Sequence, residues 1–368
     1  MKAAKYTRWV FLGAILGVTM IINYLHIHSG AMYPSVHAVC PVGGLENLWA
    51  WMGGQANLQK LFSGTMTLFF FTLVFALIFG RAFCGYICPF GALQEFVGKI
   101  SKRKFKVPEK ADKILRYIKY VILVLVTAMA WITASIWISP YDPWAAFAHI
   151  WTGHGLFAEM RVGAVILAIV FIASVLIDRF FCKYLCPAGA MYGIISKISP
   201  CRIKREGCIS CGQCAKICPV NIEVDKVEAV KSAECIMCGQ CVTVCPSKKQ
   251  EINITIFGRV VKPLVFMLCI LMVFFGSLFI FNAAGMYQVT VPNIAKVEES
   301  GNYIKIVDLR GSMSIEVGAS YVGMELSDFY ELMEIPTEVP KDTRLKDVVY
   351  YVPGYDFHVM KATKTKPD

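Results

Sequence analysis

Charge is scarce in this chain. Asp, Glu, Lys and Arg make up 17% of its 368 residues, where a soluble globular protein carries about 25%. The longest apolar runs, such as "LFFFTLVFALIFG" and "VFMLCILMVFFGSLFIF", lack the polar face that a soluble helix turns to water. Neither G-x-G-x-x-G nor a Walker A sequence occurs, so the chain is not expected to bind a nucleotide or oxidise NADH by itself. C-x-x-C-H is absent, which excludes covalent c-type haem. No clear A-x-A site follows the first apolar run, so an uncleaved signal anchor fits better than a removed signal peptide.

Apolar segments dominate instead. Five runs, roughly 9–28, 61–80, 117–138, 162–178 and 264–284, are long enough to cross a bilayer, which takes about 20 helical residues. Buried helices of a large soluble core are the alternative, disfavoured by the missing polar faces. The formal net charge of +11 is unevenly placed. Residues 81–116 hold nine Lys/Arg against three acids, and 179–262 hold thirteen against six. The tail, 286–368, reverses to nine against thirteen. Because Lys/Arg excess marks cytoplasmic flanks, the N-terminus and both basic segments are predicted inside. Loops 29–60 and 139–160 and the tail are predicted outside. Five crossings satisfy every flank. The basic charge then faces anionic membrane lipid, and no nucleic-acid partner is expected.

Most of the fifteen cysteines fall in the two segments predicted cytoplasmic, where thiols stay reduced, so metal is favoured over disulfides. "CISCGQCAKICP" and "CIMCGQCVTVCP" each read C-x2-C-x2-C-x3-C-P, the bacterial two-cluster ferredoxin run. Three closely spaced cysteines wrap three corners of a cubane, and the fourth crosses to the other cluster. Cys208, Cys211, Cys214 and Cys245 are therefore expected on one [4Fe-4S] cluster, and Cys235, Cys238, Cys241 and Cys218 on a second. Four-cysteine zinc is the alternative; two complete eight-ligand runs in tandem favour iron–sulfur.

A second cysteine pattern is written twice. "RAFCGYICPFGA" (81–92) and "RFFCKYLCPAGA" (179–190) each close an apolar run, so the core reads as two similar units. Each box supplies two cysteines on one helix face or turn. Cys84, Cys88, Cys182 and Cys186 are expected to share a third iron–sulfur site. Unliganded packing cysteines and a thiol–disulfide relay are the alternatives. Cys40, in "HAVCPVGGLENLW", echoes the box incompletely and is either a ligand of another cluster or a lone turn cysteine. Cys201 has no obvious mate, and Cys269 reads as a small buried hydrophobe.

With paired C-x3-C-P boxes ahead of a two-cluster ferredoxin run, the chain resembles the polyferredoxin-like membrane iron–sulfur proteins over roughly 60–285. That family includes the membrane quinol-dehydrogenase subunit of periplasmic nitrate reductase systems. It also includes the C-terminal half of the nitrous-oxide reductase expression protein and the cytochrome oxidase accessory protein. The resemblance implies electron transfer in a prokaryotic cytoplasmic membrane, to or from a quinone pool or a partner redox protein. The lysines around the ferredoxin run would steer an acidic donor such as ferredoxin or flavodoxin. A metal-centre assembly or regulatory factor is the alternative function, and the catalytic residues are not assigned.

The expected fold is an α-helical integral membrane protein with internal duplication, an inserted α+β ferredoxin domain and a small C-terminal α/β extracytoplasmic module. Its parts are a signal-anchor helix and outer loop (1–60), a duplicated core (61–199), a ferredoxin domain (200–255), a fifth membrane helix (256–285) and the module (286–368). In the module, residues 302–314 read as a strand, and Ser327 as the N-cap of a helix that ends before Pro336. Being small, the module is expected to dock on the outer loops or on an extracytoplasmic partner. The histidines, His26, His28, His37, His149, His154 and His358, are predicted on the outer side. They are read as solvated caps, with haem ligation or proton handling as alternatives.

Overall fold

In the computed structural model the chain is mostly helical, with one small sheet. The structure describes residues 2–29, 33–53, 61–101, 104–105, 107–152, 156, 160–209, 211–246, 251–290, 303, 306, 309, 311 and 313–364. The first helix is α1 (Lys2–Ser29), followed by α2 (Pro41–Met52), α3 (Ser63–Phe79), α4 (Ala82–Tyr86), α5 (Pro89–Gly98) and α6 (Glu109–Thr133). The pattern then repeats with α7 (Pro143–Ala148), α8 (Arg161–Leu176), α9 (Phe180–Tyr184) and α10 (Pro187–Ser196). Among the described residues, α1, α6 and α13 (Pro263–Ala283) carry windows long and apolar enough to cross a membrane. The other two expected spans, α3 and α8, are apolar but only 17 and 16 residues long. Gly80, at φ +63°, ends α3, and an extended Ile177 ends α8. Both chains then turn into a box instead of continuing the helix.

The repeat extends beyond the boxes. Each unit opens on a short helix with proline at its first position, α2 behind Cys40-Pro41 and α7 behind Asp142-Pro143. Proline suits that position because its missing N–H has no helical partner there. The two units exchange partners, since α3 packs on α10 and α8 packs on α5. Close approach is built with glycine: a Cβ at Gly44 would lie 2.3 Å from the Phe69 Cβ. The Trp131 indole N–H donates to the Leu45 carbonyl at 3.1 Å, fixing α2 against α6.

The ferredoxin segment carries α11 (Gln213–Lys216), α12 (Gln240–Val244) and a four-stranded antiparallel sheet. Its strands, β1 (Cys201–Arg205), β2 (Ala229–Val230), β3 (Ile252–Ile256) and β4 (Arg259–Val261), lie in the order β2-β1-β3-β4. Cys201 pairs with Ile256 and is buried in the sheet core with Ile203, Ile252 and Ile254, so it packs as a small apolar residue. The sheet runs to Val261, past the expected boundary at 255.

The C-terminal module packs at the other end of α1. Arg344 Nη2 donates to the Ile27 carbonyl at 2.7 Å, and Phe62 packs into the module's core around Phe329, Met333 and Leu345. Its described residues form α14 (Ile315–Val322), α15 (Leu326–Leu332), a 3-10 turn and α16 (Phe357–Thr363). They contain one isolated bridge, Ser314 to Arg344, and no strand. The α/β expectation is thus corrected to helical for these residues, while most of the expected strand, 302–314, lies outside them. The expected cap also moves. Glu325 precedes α15 and Ser327 lies inside it, while Ser314 caps α14 by accepting from the Val317 N–H at 3.3 Å.

Gly44→Ala is expected to destabilise the protein by about 1–3 kcal/mol through overpacking. Gly17→Ala, whose new methyl meets nothing within 4 Å, should leave it nearly unchanged. Thermal unfolding of the two variants in detergent checks this.

Candidate functional site: the cysteine hollows and the paired boxes

Cys208, Cys211, Cys214 and Cys245 line one hollow, together with Gly207, Gly212, Glu251 and Ile252. Cys218, Cys235, Cys238 and Cys241 line a second, walled by Ile203, Val220, Val224, Val230 and Ile236. Each hollow takes three cysteines from one run and the fourth from the other. The local cause is the same in both runs. Gly212 and Gly239 sit at φ +66° and +68° ahead of α11 and α12, a left-handed turn that glycine makes without steric cost. That turn brings Cys214 and Cys241 inward, where both are buried.

Donor type, number and spread all suit an iron–sulfur cube. Among the described residues, no three His, Cys, Asp or Glu side chains converge as ligands of a single ion would. Ligands of a multi-iron cluster sit on separate irons and need not converge. Burial pushes the thiols of Cys218 and Cys235 up to about 11 and about 12. An apolar wall therefore disfavours a bare thiolate, and a bound metal is what makes the thiolate favourable.

The boxes come together from the two repeats. Gly91 N–H donates to Cys88 Sγ at 3.4 Å, and Gly189 N–H donates to Cys186 Sγ at 3.3 Å, each across the first turn of a proline-led helix. Burial raises the Cys88 thiol, and the neighbouring Cys182 and Cys84 raise it further. Cys186 is raised in the same way by burial and then by Cys182, Cys84 and Cys88. The four thiols thus occupy one buried neighbourhood. Gln94 holds the second box, accepting from the Phe181 N–H at 2.9 Å and donating to Cys182 Sγ at 3.2 Å. The boxes also touch the second hollow. A Cβ at Gly85 would lie 2.3 Å from the Ile236 carbonyl and 3.5 Å from the Cys238 Cα.

Three buried carboxylates bind this region together, and sequence reasoning singled out none of them. Glu95 takes Arg8 at 2.6 Å and Arg179 at 2.9 Å. Glu234 takes Arg81 at 3.1 Å and Lys119 at 2.5 Å. Asp112 takes Lys183 at 2.7 Å and Arg116 at 2.6 Å. Burial pushes the Glu95 carboxyl up, but Arg179 and Arg8 outweigh it and hold it down at about 2. Arg179 itself sits at φ +52°, a left-handed conformation uncommon for a residue with a Cβ and concentrated at functional sites.

Cys40 has a different company. Its thiol is pushed up to about 12 by burial and then by Asp142, with Glu46 adding. Glu46 and Asp142 are raised in turn, to about 8 and about 6, burial being the first cause of each. Among the histidines, His26 Nδ1 lies 2.6 Å from the Tyr33 carbonyl and His149 Nδ1 lies 2.8 Å from the Ala145 carbonyl. His37 Nε2 is hydrogen-bonded to Ser139 Oγ at 3.0 Å. The side chains of His28, His154 and His358 lie outside the described residues. Cys269 is half-buried on α13.

Comparison with known proteins agrees with this geometry. A 4Fe-4S binding domain matches twice, at 64–108 and 162–206, and a 4Fe-4S dicluster domain matches at 200–246. The YccM protein of Escherichia coli is 33% identical, over 53% of this chain and 56% of that protein. The ferredoxin-type protein NapH of Escherichia coli is 29% identical, over 52% of this chain and 63% of its own length. The methylamine utilization ferredoxin-type protein MauN of Methylorubrum extorquens is 30% identical, over 40% and 50%. The chain therefore spans less than two thirds of each of these relatives. No solved structure matches. The fold and the cysteine pattern define a protein with 4Fe-4S ferredoxin-type domains and, among the described residues, three helices long and apolar enough to cross a membrane. Over these domains the chain is similar to the polyferredoxin-like membrane proteins.

Glu95→Gln removes the shared partner of two buried cations and is expected to cost about 3–5 kcal/mol, measured by thermal unfolding. With a depressed folded value of about 2 against an ordinary value near 4.3, Glu95 contributes fully above the ordinary value. Its contribution falls away as pH drops from there toward about 2. Acid titration of unfolding in wild type and the variant should differ most above this window and converge below it.

Proposed function

We propose that this protein passes electrons between cytoplasmic ferredoxin-type clusters and a quinone pool or partner redox protein, through a third iron–sulfur site at the cytoplasmic boundary of the membrane. Cys208, Cys211, Cys214 and Cys245 hold one [4Fe-4S] cluster, and Cys235, Cys238, Cys241 and Cys218 hold the other. Cys84, Cys88, Cys182 and Cys186 hold the third centre. When bound, the clusters supply one-electron chemistry. The chain's own residues bury them, exclude water and set their spacing.

The observation that carries this reading is the backbone contact of Gly85 with Ile236 and Cys238. It joins the box thiols to the second hollow, and Cys218 and Cys245 interlock that hollow with the first. In this reading the three thiol quartets follow one another through these contacts. The Arg81–Glu234 ion pair supports it by tying the first box to the ferredoxin segment, and Gln240, which donates to Glu95 at 2.7 Å, links that segment to the Glu95–Arg179 pair.

In this reading α1, α3, α6, α8 and α13 make five crossings. The ferredoxin segment lies at the cytoplasmic face, and the C-terminal module lies outside, docked on the end of α1. Exposed lysines such as Lys226 face an acidic donor, ferredoxin or flavodoxin.

Protein purified without oxygen should contain about eight irons from the ferredoxin run, plus those of the box site. Cys186→Ser should lower the iron content and remove one low-temperature EPR signal, leaving the two ferredoxin signals. Full iron with an unchanged spectrum in that variant would exclude the shared box site. In proteoliposomes, quinol-dependent reduction of the clusters supports electron transfer with the quinone pool. Oxidation that depends on copper and not on quinone would favour metal-centre assembly instead.

A further inference from the structure

The two arginines that open the boxes are wholly buried, yet each keeps an Nε–H with no acceptor. Each is already engaged through its terminal nitrogens, Arg81 by Nη1 and Arg179 by both. Arg81 Nη1 donates to the Ala233 carbonyl at 2.9 Å and pairs with Glu234. Arg179 Nη1 donates to the Cys84 carbonyl at 2.6 Å, and its Nη2 donates to Glu95. Each guanidinium is therefore fixed by its end while its inner edge stays free.

Each arginine also reaches out of its own repeat. A Cβ at Gly189 would lie 2.8 Å from Arg81 Nη2, and one at Gly91 would lie 2.9 Å from Arg179 Nη1. These are the glycines whose N–H groups donate to Cys186 and Cys88. Burial works against the charge on Arg81, and Cys84, Glu234, Cys186 and Cys182 outweigh it. Thiols of both boxes thus surround one cation.

We propose that Arg81 and Arg179 form a crossed cationic clamp on the box iron–sulfur site, each turning its free Nε–H toward cluster sulfur and together raising the site's reduction potential. This rests on the assignment of Cys84, Cys88, Cys182 and Cys186 as ligands. Reduction adds one electron to a cluster already made anionic by four thiolates. Two fixed cations and N–H donors in a desolvated place stabilise that added charge. The box site then draws electrons from the ferredoxin pair. Lysine would keep the charge but lose the planar N–H edge.

Redox titration of the full chain by low-temperature EPR tests this. In Arg81→Gln, the reduced-to-oxidised ratio of the box signal at the wild-type midpoint should fall at least tenfold, a shift of 59 mV for a one-electron couple. The box signal should move more than either ferredoxin signal, and Arg81→Lys should restore part of the shift. Gly189→Ala displaces the guanidinium while keeping its ion partner, and should give a smaller shift of the same sign. It carries the test where Arg81→Gln does not fold. An unmoved box potential in folded Arg81→Gln, or in Gly189→Ala where the arginine variant fails, overturns the clamp. Wild-type protein with no EPR signal sensitive to Cys186→Ser overturns the ligand assignment instead.

Discussion

Buried charge is the constraint on which the rest of this structure depends. Six cations, Arg8, Arg81, Arg116, Arg179, Lys119 and Lys183, crowd around three carboxylates, Glu95, Asp112 and Glu234. Each carboxylate serves two cations, so every hub keeps a surplus positive charge. An uncompensated buried cation is unfavourable by several kcal/mol, and thiolates at the proposed cluster sites would supply the missing charge. A cube held by four thiolates is anionic overall. The surplus therefore suits the chemistry proposed for the cysteines, and the pairs of Glu234 with Arg81 and Lys119 hold the ferredoxin segment on the first box and on α6.

Duplication supplies the geometry, and departures from it supply the wiring. Each repeat offers half of a thiol quartet, and α3 packing on α10 while α8 packs on α5 brings the halves together. The box arginines cross over in the same way. Their acids do not match. Arg179 uses Glu95 from the first repeat, whereas the box alignment puts Gly193 opposite Glu95 in the second. A Cβ at Gly193 would lie 3.3 Å from the Ala233 carbonyl, so the missing side chain leaves room for the ferredoxin segment to bring in Glu234 for Arg81. Arg179 finds its acid in the other repeat, whereas Arg81 finds one only in the docked ferredoxin segment. A similar asymmetry separates Cys40 from Asp142 at the heads of α2 and α7.

The legible parts of this protein were those whose chemistry is local. C-x2-C-x2-C-x3-C-P states its turn, its glycine and its crossing ligand within a dozen residues, and the two hollows gather the cysteines that this spacing implies. The repeated box was equally plain, because two copies of one phrase align by inspection. Less legible were Arg81 and Arg179, which read as ordinary positive flanks of membrane helices and proved to be wholly buried. Glu95, Asp112 and Glu234 passed as minor acids in basic segments. In the module the cap was misplaced, since Ser327 lies inside α15 and Ser314 is the serine that caps a helix.

Spacing, hydropathy and the sign of flanking charge were enough to set the class of protein, the ferredoxin run and the existence of a second cysteine site, because each depends on residues near one another in the chain. Which carboxylate answers which arginine, which repeat lends its guanidinium to the other, and where the box thiols meet the ferredoxin hollow were decided by packing alone. These pairings join residues that stand tens to more than a hundred positions apart. Their energies depend on mutual burial, and burial is a property of the folded arrangement that no local pattern encodes.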